Sequence, residues 1–184
     1  MASAKTDKDR QLSGDLIDFY LSRRPDSRDR MISDIWVEDD DWLEYTHDYV
    51  QWLFPLKTRS RYNSSAPTLD EATIKAFRTS ENLKKCLIRS LQVMLKFYGF
   101  QLQEMSGTSV TVTKSDEYEK KKSNWLSSGN HNFLRITRII TSLRILGLKG
   151  YSDAFFRCLD QVYREHRNTI GTETYRYWKT AAEA

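Results

Sequence analysis

Ser80-Glu81-Asn82-Leu83-Lys84-Lys85-Cys86-Leu87-Ile88-Arg89-Ser90-Leu91-Gln92-Val93-Met94-Leu95-Lys96-Phe97-Tyr98-Gly99 is the most regular stretch of the chain. Leu83, Leu87, Leu91, Leu95 and Tyr98 recur every three or four residues, which stacks them on one face of an α-helix. Ser80 offers an N-terminal cap and Gly99 a C-terminal stop, so the spacing predicts a core helix between them. Immediately after Gly99 the period changes to two. Phe100 and Leu102 alternate with glutamines, Ser106-Gly107-Thr108 reads as a turn, and Val110 and Val112 alternate with threonines, which predicts a β-hairpin over about 100–113.

Outward from this centre the chain reads as helix. On the N-terminal side, segments are expected over 10–22, over 42–54 up to the stop at Pro55, and from a capping box of Thr68 with Glu71 to about Phe77. On the C-terminal side come 116–126, 131–146, 152–166 and 172–183, punctuated by Gly147, Ser152, Gly171 and Thr172. Seven Gly and three Pro in 184 residues leave few breakers, and no repeat of fixed period occurs. The expectation is a mainly α, single-domain bundle of about six to seven helices with one small β-hairpin. Residues 1–11 are read as a flexible N-terminus and 12–184 as the helical domain.

Composition narrows the function. The net charge of +4 hides a split: residues 1–54 carry 7 basic and 13 acidic side chains, a net of −6, and residues 55–184 carry 22 and 12, a net of +10. Two lone cysteines, Cys86 and Cys158, fit neither a disulfide framework nor a zinc site and point to a reducing, intracellular setting, cytoplasmic or nuclear. No signal core, transmembrane run or myristoylation glycine is present, so the protein reads as not secreted and not membrane-spanning, and Asn63-Ser64-Ser65 as an unused glycosylation match. Phosphate-loop, dinucleotide, nucleophile-elbow and zinc-protease motifs are all missing, so a non-enzymatic reading without a cofactor is preferred. Lys120-Lys121-Lys122 beside Trp125, and Lys57, Arg59 and Arg61 beside Tyr62, pair cations with aromatics as single-strand binders do, but nucleic-acid binding then rests on charge alone.

Two charged stripes carry the functional reading. Placed on a continuous helix over 42–54, Glu44, His47, Asp48 and Gln51 fall on one narrow polar arc of an otherwise apolar surface. Burying such an arc is costly, so it should meet partners or line a cleft. Glu44 and His47 also have the spacing that puts a carboxylate and an imidazole side by side for a metal, yet no second pair of that kind occurs, and no metal is expected. On the helix 131–146, His131, Arg135, Arg138 and Ser142 line up opposite Ile136, Ile139, Ile140, Leu143 and Leu146. Two guanidinium forks near a helix N-terminus suit a carboxylate or phosphate. Alternatively, these arginines answer Glu44, Asp48 or the run Glu38-Asp39-Asp40-Asp41 within the fold.

Both stripes lie in segments that resemble a known family. Leu43-Glu44-Tyr45-Thr46-His47-Asp48-Tyr49-Val50-Gln51-Trp52-Leu53-Phe54-Pro55, together with His131-Asn132-Phe133-Leu134-Arg135-Ile136-Thr137-Arg138-Ile139-Ile140, Ser142-Leu143 and Leu146-Gly147-Leu148, is similar to the two signature segments of the opioid growth factor receptor conserved domain. Ala76-Phe77-Arg78 and Met94-Leu95-Lys96-Phe97-Tyr98-Gly99 match between them in order. The resemblance covers about residues 12–165, and the chain ends soon after, as a bare domain would. It implies an all-helical receptor domain that binds a peptide, Met-enkephalin in animals, acts at the nucleus and restrains growth. It assigns no residue a role. The expected function is therefore a ligand- or partner-binding domain of this type, with Glu44, His47, Asp48, Gln51, His131, Arg135 and Arg138 around a shared polar pocket for a peptide or anionic ligand. The alternative is a phosphate- or nucleic-acid-recognising protein, hydrolytic or metal-dependent.

Overall fold

A computed structural model describes residues 7–60, 63, 65–104 and 109–184, with side chains from Gly14 onward. The expected turn at Ser106-Gly107-Thr108, the cluster members Arg61 and Tyr62, Ser64 of the sequon and residues 1–6 lie outside the described residues. The fold is mainly helical with one two-stranded antiparallel sheet, and the chain divides into two compact units at Ser90/Leu91.

In the first unit α1 (Asp7–Tyr20), α2 (Ile32–Ile35), α3 (Asp40–Tyr45), α4 (Val50–Leu53) and α5 (Glu71–Thr79) precede the opening turns of α6 (Glu81–Tyr98). Its core is aromatic. Phe19 packs on Trp52 with ring centroids 5.2 Å apart, and Tyr20 meets Phe77 edge to face at 4.7 Å. The hydroxyl of Tyr20 donates to Leu53 O, which satisfies a polar group that is fully buried. Trp36 Nε1 donates to Ser90 Oγ at 2.9 Å, and the Ser90 hydroxyl donates in turn to Cys86 O at 3.0 Å.

The α5 start differs from expectation. Its cap is Asp70, whose carboxylate accepts from Thr73 N at 2.7 Å, so the helix begins at Glu71 and Thr68 stays outside it. Asp caps as well as Thr does, and Asp70 stands three residues before a free N–H. Ser80 behaves as expected, its hydroxyl accepting from Leu83 N at 3.4 Å at the head of α6.

The second unit holds the end of α6, β1 (Phe100–Glu104), β2 (Val110–Lys114), α7 (Tyr118–Lys121) running into a 3₁₀ turn at Lys122–Asn124, α8 (Asn132–Ile145), α9 (Lys149–Glu165), α10 (Arg167–Ile170) and α11 (Thr172–Glu183). Gly99 stops α6 with φ +82°, a left-handed conformation only glycine adopts cheaply. The predicted hairpin follows, pairing Phe100 with Lys114 through Glu104 with Val110. Helices α9 and α11 both pack on α8, and α9 also covers β2. The contacts are again aromatic and hydrogen-bonded: Trp125 Nε1 donates to Tyr98 O (3.0 Å), and Trp178 Nε1 to Phe133 O (3.1 Å). Eleven α-helices among the described residues exceed the six to seven expected, because α2, α4, α7 and α10 are single turns that no sequence period reveals.

Candidate functional site

The first signature segment is not one helix. The continuous helix expected over 42–54 ends at Tyr45, where Thr46 takes extended angles (φ −90°, ψ 126°), and a new turn starts only at Val50. Glu44, His47, Asp48 and Gln51 therefore do not form a helical stripe. The break has local causes. β-branched Thr46 leaves the helical region easily, while Asp39 fixes where α3 starts by accepting from Trp42 N. Tyr49 then folds back to donate its hydroxyl to Leu43 O at 3.0 Å, which fixes the bend.

At the bend Asp48 is held by two arginines. Its Oδ1 accepts from Arg30 Nη2 (2.9 Å) and its Oδ2 from Arg28 Nε (3.0 Å). Arg30 is anchored in turn by Asp26, whose side chain is 0% exposed and receives both Nε (2.8 Å) and Nη2 (2.6 Å). The Arg30 guanidinium also lies 5.5 Å from the centre of the Trp42 ring. Burial works to raise the Asp48 pKa, but the bonds and charges of Arg30 and then Arg28 outweigh it and hold the carboxyl below its usual range. Asn63 Nδ2 donates to the Asp48 carbonyl at 3.0 Å. In the orientation that satisfies its amide, the buried Gln51 donates to His47 O and Asp48 O, both at 3.1 Å. His47 is exposed and Glu44 half-buried.

The sequence reading missed Asp26, Arg28, Arg30 and Asn63. The available signal was Pro25-Asp26, where Asp26 accepts its bond from Arg28 N at 2.8 Å as a turn-forming Asp does. The partners stand 15 to 20 residues from Asp48 in sequence, beyond the reach of a helical wheel.

The second segment does form the expected helix, α8, one residue shorter at each end. Its polar line turns into the protein: Arg135 is 6% exposed, Ser142 is fully buried, and His131 and Arg138 are half-buried. Arg135 Nη1 donates to Asn132 Oδ1 at 3.2 Å. Burial lowers the pKa of the Arg138 guanidinium. The N-terminal amides are less available than expected. Asn130 Oδ1 accepts from Asn132 N at 2.9 Å, and the N–H groups of Phe133, Leu134 and Arg135 bond to the carbonyls of Asn130 and His131.

The other cationic clusters are engaged nearby. Lys57 pairs with Glu71 at 2.8 Å, Lys122 with Glu119 at 2.5 Å and Lys121 with Glu117 at 3.7 Å. Nothing in this arrangement supports the nucleic-acid or hydrolytic alternative. Among the described residues no group of three or more His, Cys, Asp or Glu side chains is placed to hold a metal ion. The thiols of Cys86 and Cys158 are free, and no helix of the described chain is long and apolar enough to cross a membrane.

What fold and segments define is a class of mainly helical chains with a small hairpin, marked by a bent acidic segment in the first unit and the basic helix α8 in the second. Residues 15–181 match the family described as the opioid growth factor receptor (OGFr) conserved region, and the chain belongs to that family. The opioid growth factor receptor of Rattus norvegicus is 38% identical over 141 residues, 74% of this chain and 24% of the relative. That of Homo sapiens is 38% identical over 122 residues, 66% and 17%. Opioid growth factor receptor-like protein 1 of Xenopus tropicalis is 32% identical over 137 residues, 72% and 26%. The chain thus spans about a quarter or less of the length of these relatives. No solved structure matches it.

Proposed function

We propose that the chain is a non-enzymatic ligand-binding domain of the receptor type, taking a peptide or other ligand that presents an anionic group, and that α8 supplies the cationic contacts. The observation that carries this reading is Arg135 and Arg138, three residues apart on α8, the first buried and the second half-buried. Like charges at that spacing repel, and a desolvated guanidinium attracts a carboxylate or phosphate more strongly than an exposed one does. His131 stands at the head of the line. Glu44, His47, Asp48 and Gln51 of the first unit form a separate proposed contact set, with Asp48 held by Arg28 and Arg30. The receptor names of the relatives support the class of function. Binding of a Met-enkephalin-like peptide, a role in growth regulation, an intracellular site of action supported by the free thiols, and the extent of the domain over 12–184 belong to the same proposal.

Titration calorimetry tests it with two probes, Met-enkephalin and inorganic phosphate. Saturable heat with the peptide, reduced at least about tenfold in affinity by Arg138→Gln, is expected, a factor equivalent to about 1.4 kcal/mol. Absence of binding by both probes at low salt, where charge attraction is strongest, refutes the proposal.

A further inference from the structure

Between the end of α1 at Tyr20 and the start of α2 at Ile32 the chain has neither helix nor strand, and it turns sharply at Asp26. The Asp26 carboxylate accepts from Arg28 N (2.8 Å) and Arg30 N (3.1 Å), Asp29 N donates to Asp26 O (3.1 Å), and Asp26 N donates to Arg30 O (2.9 Å). Ser27 stands at the exposed corner of this turn. Among the described residues nothing pairs with its hydroxyl.

The surroundings of that hydroxyl are cationic. Arg23, Arg24, Arg28 and Arg30 lie within four residues of Ser27, against Asp26 and Asp29, a net charge of +2. Arg23 and Arg24 are exposed, each reaching one carboxylate of α1, Asp18 at 3.7 Å and Asp15 at 2.8 Å. An unengaged hydroxyl outside any helix, with an arginine three residues before it, is what a kinase with an acidic substrate groove reads. Basic residues alone do not single out Ser27, since Ser123 follows Lys120-Lys121-Lys122. There, however, the hydroxyl already donates to Lys120 O at 2.9 Å, and Lys121 and Lys122 pair with Glu117 and Glu119.

We propose that Ser27 is a phosphorylation site for an arginine-directed serine/threonine kinase, and that its phosphate draws Arg28 away from Asp48. Ser27 Oγ bonds to the γ-phosphorus of a magnesium-bound nucleoside triphosphate, the bond to the β-phosphate oxygen breaks, nucleoside diphosphate leaves, and the hydroxyl proton passes to the kinase's base. The phosphate adds a charge of about −1.5 to −2 at pH 7, enough to cancel the local excess. Arg28 Nε holds Asp48 Oδ2 at 3.0 Å from a side chain that is mostly in water. A phosphate on the adjacent residue, with nearly twice the charge of a carboxylate, outcompetes Asp48 for it. Arg30 stays in place, because its guanidinium is tied to the buried Asp26 and keeps Asp48 Oδ1 at 2.9 Å. The bend of the first signature segment therefore survives, while Asp48 Oδ2 is released. This inference is independent of the α8 reading.

The test incubates the full chain with the catalytic subunit of an arginine-directed serine kinase and MgATP, and maps the phosphate by peptide mass spectrometry. Ser27 is expected to carry it, at a rate about tenfold lower in Arg24→Ala, a change in an exposed side chain. Phosphate at Ser123 in place of Ser27 overturns the proposal. So does labelling of a synthetic peptide of residues 21–31 but not of the folded chain, which would show that the turn withholds the hydroxyl. In the ¹H–¹⁵N spectrum of the phosphorylated chain the Arg28 Nε–H resonance should move, and ³¹P titration should place the second phosphate pKa below its ordinary value of about 6, restored by Arg28→Gln. An unmoved Arg28 resonance with an ordinary phosphate titration refutes the exchange of partners.

Discussion

Replacing Gly99 by alanine should destabilise the chain by about 3 kcal/mol, and the structure separates two contributions. The φ of +82° at Gly99 costs an L-residue about 1 to 2 kcal/mol. A Cβ placed there also meets Tyr118 Cα at 2.8 Å and Lys121 Cβ at 3.2 Å. The first of these atoms is backbone, so relief requires α7 to move, and overpacking of that kind costs about 1 to 3 kcal/mol. Gly129 is the internal control. Its φ is +71°, but nothing lies within 4 Å of its added Cβ, so Gly129→Ala should cost only the conformational part, about 1 kcal/mol. Urea unfolding followed by tryptophan fluorescence and circular dichroism measures both. With a slope of about 2 kcal/mol/M, the Gly99 variant should lose about 1.5 M in midpoint and the Gly129 variant about 0.5 M. Equal losses would refute the claim that the α6 end is held against α7 through this glycine.

Three further outcomes follow from the same geometry. Arg30→Met strips the buried Asp26 carboxylate of its guanidinium while leaving its main-chain donors from Arg28 and Arg30. It should cost about 3 kcal/mol in urea unfolding, against under about 1 kcal/mol for Arg28→Met, whose side chain is 70% exposed. Asp48 is held low despite its burial, by Arg30 and Arg28, and Asp153 likewise by Lys149 and Arg144. Their folded pKa values lie below the unfolded value of about 3.9, so they contribute stability above that pH, and it is lost as pH falls through the folded values. A thermal-shift series from pH 6 to pH 2.5 should show the loss below about pH 4, smaller in Asp48→Asn. Burial pushes the Cys158 thiol up to about 12, so iodoacetamide at pH 8 should leave Cys158 unmodified by peptide mass spectrometry until urea unfolds the chain.

Period and punctuation made α6 and the hairpin legible before any coordinates. Leu83 to Tyr98 repeat on one face, Gly99 can only stop the helix, and the switch to alternation at Phe100 marks the strand. The α8 line from His131 to Ser142 was legible for the same reason, although its burial was not, because a wheel gives direction around a helix and not what packs against it. The bend at Thr46 was hidden. Trp42 to Phe54 has apolar residues at spacings that fit a helix, yet the bond from Tyr49 to Leu43 and the arginine clamp on Asp48 outcompete that local preference. The clamp joins residues about twenty positions apart through a turn at Asp26, a tertiary fact that no local pattern carries. The opposed charges of the two halves read differently as a result. Part of the acidic block is neutralised by Arg28 and Arg30 inside the first unit, and the basic line of α8 is the proposed recognition element.

The measurement that bears most directly on that conclusion is the thermal shift produced by Met-enkephalin in wild type and in Arg138→Gln, each with and without peptide. At a hundredfold excess over its dissociation constant a bound ligand contributes about 2.7 kcal/mol, a rise of about 5 to 10 °C in Tm for a chain of this size. The account predicts that Arg138→Gln keeps the unliganded Tm within a few degrees of wild type and loses most of the rise. A variant that unfolds far earlier without peptide, or that retains the full rise with it, would contradict a ligand-binding role for α8.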